Sequence, residues 1–494
     1  MNLEQQKKQA REFLRAVRSG QAAALDRLRA RHRRWAQTDD ATVRQAMALH
    51  DAQFVIAREQ GFASWTKLKA YAGGSAQGRR TRVFVADVKW IADRVQGLVR
   101  TRQSAGPAAL EQIREWHPRF SASSDQEILD APFSDEDARL VYAREHGFDS
   151  WEELTERLKL LASDSTAAAS EPFLCAFRAL QAADVALLRA WLDRNPQLAK
   201  ERGTNGNSLL NLAVSLAAKA EREVAIALVE ALLGAGADVN DANGRGWTPV
   251  HQAAYSNQRD MAELLIRSGA DLDADAHGSG GTPLIVALFW GHREMADLLG
   301  RYSLAPGNLR VAAGLGNREL LERCFSGERT LTPEACAARG FYRPHSGFPD
   351  WQPSTDPQEV LDEALVWASK SGRTEVLARL VRAGARLDAD PYRGTPLIWA
   401  AYRDRMETAG WLIDHGAPIN QKATFGGPAH GQGVTALHAA AQTGHLAMVQ
   451  LLVSKRADIT ITDDLYHGDP EGAAGYFGQT AVRDYLHSLR LRAR

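Results

Sequence analysis

A short phrase returns through the middle and tail of this chain, and it limits the possible folds more than any other feature. It reads Gly246-Trp247-Thr248-Pro249-Val250-His251, then Gly281-Thr282-Pro283-Leu284, then Gly394-Thr395-Pro396-Leu397, then Val434-Thr435-Ala436-Leu437-His438. Each copy opens an apolar stretch, and most are followed by a Gly-Ala-Asp-like turn: Gly236-Ala237-Asp238, Gly269-Ala270-Asp271, Gly384-Ala385, Gly416-Ala417 and Ala457-Asp458. Gly236 and Gly269 stand 33 residues apart, Gly384 and Gly416 32. A fixed period of this size marks stacked supersecondary units. The Thr caps a first helix, and Pro in its first turn gives up no needed hydrogen bond. The Gly ends a second helix. One such pair cannot bury its own apolar face, so stability is a sum of contacts between neighbours.

Residues 172–486 resemble an ankyrin-repeat array. The resemblance implies an all-α solenoid of helix–turn–helix pairs with hairpin fingers, preceded here by an N-terminal helical domain. It implies about nine repeats, with worn copies near 172–203 and 468–486 acting as caps. It makes His251, His292, His438 and His445 structural residues of the turns, not metal ligands. Ala253-Ala254, Ala400-Ala401 and Ala440-Ala441 let neighbouring helices approach closely. On the family pattern the residues ending each first helix face a concave groove. This assigns Tyr255, Phe289, Trp290, Lys370, Tyr402 and Arg403 to a binding surface, since aromatic and Arg side chains are the usual anchors of interfaces. The competing reading is that these rings cover apolar surface between repeats.

Departures from the pattern point to function more sharply. An insertion at about 327–357 separates the fifth and sixth repeats and contains Arg339-Gly340-Phe341-Tyr342-Arg343-Pro344-His345-Ser346-Gly347-Phe348-Pro349-Asp350-Trp351. Pro344 and Pro349 exclude helix there. A loop of this length and composition is expected to fold over the fingers or into the groove. Its candidate residues are Tyr342, Arg343, His345, Asp350 and Trp351, with Tyr392, Arg393 and Trp399 from the adjoining finger and helix. His345 with Asp350, and Arg343 with Tyr342, are the acid–base pairs it offers. A second insertion, 423–432, lengthens a later finger.

The front of the chain carries another duplication. Asp51-Ala52-Gln53-Phe54-Val55-Ile56-Ala57-Arg58-Glu59-Gln60-Gly61-Phe62-Ala63-Ser64-Trp65 matches Asp137 to Trp151, 86 residues later. Each copy reads as a helix ended by Gly61 or Gly147, then a second helix capped by Ser64 or Ser150. Residues 1–72 and 83–161 are thus two copies of one helical module, with 73–82 a linker and 162–171 a hinge to the array. Arg58-Glu59 and Arg144-Glu145 read as surface ion pairs, not a catalytic pair.

Across 494 residues the formal net charge is zero, so nothing draws the whole chain to nucleic acid or membrane. The basic run Arg27 to Arg34 is expected to answer the acidic segment 106–163 within the chain; nucleic-acid binding through it would show steep salt dependence. Three cysteines without ligand spacing suit a reducing compartment. The first residues lack a signal-peptide core and no long apolar run occurs, which points to the cytoplasm. High Ala, Arg and Leu usage points to a bacterial source. No phosphate loop, nucleophile constellation or metal spacing is present, so no cofactor is expected. The reading is a non-catalytic protein-interaction scaffold with a protein partner. The alternative is a small-molecule binding protein or enzyme whose site forms where residues 339–351 close over repeats five to seven.

Overall fold

The computed structural model describes the chain except residues 1, 2, 33, 34, 61–64, 66, 67, 69–80, 104, 277–280, 305, 341, 343–350, 426–430, 493 and 494. Among the described residues every extended regular element is a helix. Backbone pairing elsewhere is confined to isolated bridges such as Arg82 with Gly203 and Ala423 with Val434. None of these helices is long and apolar enough to cross a membrane. The chain divides into two compact units, Met1–Pro249 and Val250–Arg494.

In the first unit, helices Leu3–Arg18, Ala22–Arg31, Asp40–Ala46 and Leu49–Glu59 close on Phe13, Val17, Leu28, Val43 and Val55. A second group, Val88–Gln103, Pro107–Trp116, Asp135–Glu145 and Trp151–Ser163, encloses Ile91, Val95, Ile113, Val141 and Leu158. Phe148 is buried behind Gly147, and Ser150 accepts from the Glu153 N–H, as the spacing predicts. The matching Gly61, Phe62 and Ser64 lie outside the described residues. The presumed hinge contains a helix, Ser165–Ala169, because Asp164 caps it and Ala167 and Ala168 are buried. A buried ion pair, Arg157 to Glu171 at 2.6 Å, spans the same stretch. Helix pairs Pro172–Gln181 with Val185–Arg194, and Leu209–Leu216 with Arg222–Gly234, complete the unit.

Two charge expectations fail here. Among the described residues of the basic run, Arg27 pairs with Glu59 at 2.8 Å and Arg29 with Asp40, and no ion pair reaches 106–163. The reason is that neighbouring helices of the small front bundle already present carboxylates to it. Glu145 is not a surface partner of Arg144 but is buried, because its helix turns that face into the bundle.

The second unit contains seven described helix pairs, from Pro249–Tyr255 with Arg259–Arg267 to Pro470–Tyr476 with Thr480–Arg492. One apolar cluster runs without interruption from Leu309 to Leu486, so each pair completes the core of the next. Thr282 and Thr395 cap their helices at 3.4 and 3.3 Å. His251 and His438 reach the turn of the following finger, bonding the carbonyls of Gly281 and Gly468 at 3.0 and 3.1 Å.

One helix breaks the pattern. Pro357–Ser371 has 15 residues where the following first helix, Pro396–Tyr402, has seven. Counting back 32 residues aligns Trp399 with Trp367 and Tyr402 with Lys370, and places Glu363 where Thr395 caps. Glu363 supplies no such cap, so the helix runs on to Pro357, where Asp356 accepts from the Gln358 N–H.

Candidate functional site

The extended helix carries the site. Glu363, Val366, Trp367 and Lys370 follow the i, i+3, i+4, i+7 spacing that puts them on one helical face. Facing them are Ile285 and Phe289 of helix Pro283–Phe289, and Arg310 of helix Leu309–Leu315. Tyr342 and Trp351 come from the insertion, and Pro391 and Tyr392 from the next finger. Together they line a small cleft between these elements.

A network of ion pairs holds its floor. Glu363 accepts from Arg310 at 2.9 Å and from Arg339 at 2.7 Å. Arg310 also donates to the Gly340 carbonyl at 2.8 Å, and its guanidinium stands 4.7 Å from the Trp367 ring. Arg339 reaches Glu359 at 3.1 Å and the Ser354 carbonyl. The extra turns of the long helix thereby hold both ends of the insertion. All four side chains are engaged, and two carboxylates balance two guanidiniums.

Lys370 has no such partner. Its side chain is buried, and its Nζ sits 4.6 Å from the Phe289 ring, 4.9 Å from Trp367 and 4.7 Å from Trp399. No hydrogen bond or ion pair reaches that nitrogen among the described residues. Burial pushes the ammonium well below its ordinary value; Glu363 works against this, while Arg403 and Arg310 add to it. The three ring faces favour the charged form. The backbone is clamped: Arg405 donates to the carbonyls of Lys370 and Gly291 at 3.2 and 2.8 Å. Gly291 has φ +67°, and a Cβ there would stand 2.6 Å from the Lys370 carbonyl, so only glycine fits.

The expected groove residues separate into two layers. Tyr255 is exposed, and Trp290, Tyr402 and Arg403 are half-buried, along the outer edge. Phe289 and Lys370 are buried: Tyr342 of the insertion packs edge-on against Phe289 at 5.2 Å, and Lys370 lies among the rings of Phe289, Trp367 and Trp399. Trp351 stacks on Tyr392 at 5.1 Å and 22°. Trp399 is buried between Phe289 and Phe425, and Arg393 is buried, donating to the Phe425 carbonyl at 3.2 Å. The acid–base residues Arg343, His345 and Asp350 lie outside the described residues. Arg403 is pushed down to about 10 by burial, has its ring contact with Tyr402, and makes no ion pair among the described residues. Arg310, Glu363 and Trp367 were not among the expected residues. A signal existed, since Arg310 takes the place held by Val250, Leu284 and Leu397, and Glu363 the place of a capping Thr.

Comparison with known proteins agrees with the repeat geometry. Residues 210–305 and 365–463 match the model of ankyrin repeats, in three copies. This chain therefore carries ankyrin repeats, and its architecture is an all-α ankyrin solenoid. Similar curated proteins include the ankyrin repeat and KH domain-containing protein mask-1 of Caenorhabditis elegans, 29% identical over 237 residues, 47% of this chain and 8% of the relative. Inversin of Danio rerio is 36% identical over 92 residues, covering 18% of this chain and 8% of its own. Protein fem-1 homolog A-like of Mus musculus is 33% identical over 98 residues, 20% of this chain and 14% of its own. The chain thus spans 14% or less of the length of each of these relatives.

Proposed function

We propose that the ankyrin array is a protein-recognition scaffold that engages its partner along the outer edge of the ring layer, through Tyr255, Trp290, Tyr402 and Arg403. The observation that carries this reading is Tyr255, 40% exposed while set edge-on against Trp290 at 5.6 Å. A large ring held in place yet left accessible costs little entropy when a partner covers it. Residues 1–72 and 83–161 would be duplicated modules that extend or cap the array, in a bacterial, cytoplasmic protein. Three free thiols suit that compartment. The test is affinity capture with mass spectrometry, comparing the wild type with the triple variant Y255A/W290A/Y402A. The partner should be recovered stoichiometrically with the first and lost with the second, with circular dichroism unchanged. Equal recovery would remove the ring edge from the interface.

A second reading is favoured by the pocket itself. Among the described residues of the insertion, Tyr342 packs against Phe289 and Trp351 stacks on Tyr392, beside the charged cleft. Convergent polar groups and a buried lysine lining this cleft support the alternative of a small-molecule site.

A further inference from the structure

We infer that the protein partner presents an acidic side chain beside an apolar one, its carboxylate meeting the Arg403 guanidinium and the apolar neighbour covering the Tyr255 ring. The inference rests on the protein-scaffold reading and gives that partner its chemistry.

Packing brings the two sides of this edge together. Tyr255 and Trp290 stand at the ends of helices Pro249–Tyr255 and Pro283–Phe289, while Tyr402 and Arg403 end a helix more than a hundred residues later. Phe289, next to Trp290, lies 6.4 Å ring to ring from Trp399, and Arg405 ties the Gly291 carbonyl to that of Lys370. His292 bonds the Tyr255 carbonyl at 3.1 Å, and His445 bonds that of Tyr402 at 3.2 Å. The backbone on both sides is therefore fixed before a partner arrives, which lowers the cost of binding.

Charge selects the partner. Arg403 is half-buried; its Nε is buried without a hydrogen bond, whereas Nη1 and Nη2 keep contact with solvent. These two nitrogens can grip both oxygens of one carboxylate. Arg403 makes no ion pair among the described residues, and burial, though it lowers the group to about 10, leaves it charged at neutral pH. Arg293 and Arg405 add to the positive edge. They donate to backbone carbonyls, Arg293 to Gly372 at 2.8 Å, and neither has an ion pair among the described residues. Glu294 and Asp404 act on Arg405 without pairing with it. A half-buried cation gains most from an anion that arrives with apolar cover, because water is then excluded from the pair. Tyr255, 40% exposed, offers the surface for that cover.

The test pans a phage library of random peptides against the full chain and titrates the enriched peptides by fluorescence anisotropy. Enriched sequences should carry Asp or Glu close to an aromatic or aliphatic residue. Replacing that acid by the corresponding amide should weaken binding to the wild type about tenfold or more, and to Arg403→Gln by less than about twofold. Arg403→Met stands in if circular dichroism shows that Arg403→Gln fails to fold. Tyr255→Ala should weaken the acid and amide forms alike. Peptides enriched without an acid, or an acid preference that survives in the Arg403 variant, would overturn the inference and leave the scaffold reading standing. Enrichment of no peptide, or of peptides that bind Y255A/W290A/Y402A as well as the wild type, would overturn both.

Discussion

Glu145 in the first unit and Lys370 in the second are both buried ionisable residues, yet the protein treats them in opposite ways. Glu145 is fully served by its surroundings: Gln112 donates to one carboxylate oxygen at 2.7 Å and the Asn205 N–H to the other at 3.1 Å. Its neighbour His146 is satisfied likewise, by the Tyr142 carbonyl and the Thr204 hydroxyl, each at 2.8 Å. Lys370 lies among three ring faces and is one of the residues that line the cleft. A buried charge whose hydrogen bonds come from the chain itself is a structural fastening. Among the described residues Lys370 has no such fastening, and burial weighs against its charged form.

The comparison breaks most visibly at Glu363, which anchors the pocket as Glu145 anchors the front unit. Glu363→Ala leaves Arg310 and Arg339 without their shared carboxylate and should cost the second unit about 3–5 kcal/mol, measured by urea denaturation. A loss below about 1 kcal/mol would mean the network is solvated, contrary to its burial.

Glu145→Gln tests the opposite member. Burial raises the Glu145 carboxyl to about 7 from an ordinary 4.5, so its contribution to stability is fully present below pH 4.5 and is lost as pH climbs to 7. Gln removes that loss. The variant should gain on the wild type by about 3 kcal/mol across that window, at about 1.4 kcal/mol per pKa unit. His146, lowered by burial to about 4 from 6.5, has the opposite slope: its contribution is lost as pH falls from 6.5. The variant should therefore show a sharper acid-side decline than the wild type in denaturation midpoints from pH 4 to 8. Parallel profiles would show that Glu145 is not the group responsible.

Lys370→Met sharpens the contrast from the other side. Burial holds this amine below its ordinary 10.5, so the residue costs the folded state stability at pH values below that ordinary range. Met should raise stability at pH 7 by about 1–3 kcal/mol, with the gap closing as pH approaches 10. A destabilised variant would mean that the three ring contacts outweigh desolvation. The smallest effect belongs to the exposed pair: Glu59→Ala frees Arg27 and should change stability by less than about 1 kcal/mol, an effect that vanishes in high salt.

The outer ring layer and the covered inner layer were equally visible as letters in the sequence. Tyr255, Phe289, Lys370 and Tyr402 occupy the same place in their repeats, and the family pattern treats them alike. What separated them was the packing of Tyr342 and Trp351, which arrive from an insertion that no periodicity governs. Arg339 illustrates the same limit. Within its own segment it is one more basic residue, and only the fold brings it to Glu363 at 2.7 Å.

The sequence alone determined the helix pairs, their caps and their order, because those depend on interactions within a turn or between adjacent repeats: Thr395 with the Ile398 N–H, or His251 with Gly281. Tertiary structure alone decided that Lys370 is buried among ring faces. Its surroundings are gathered from Phe289, Trp367 and Trp399, positions spread over more than a hundred residues, and burial of a charge is a property of that assembled volume, not of its neighbours in the chain.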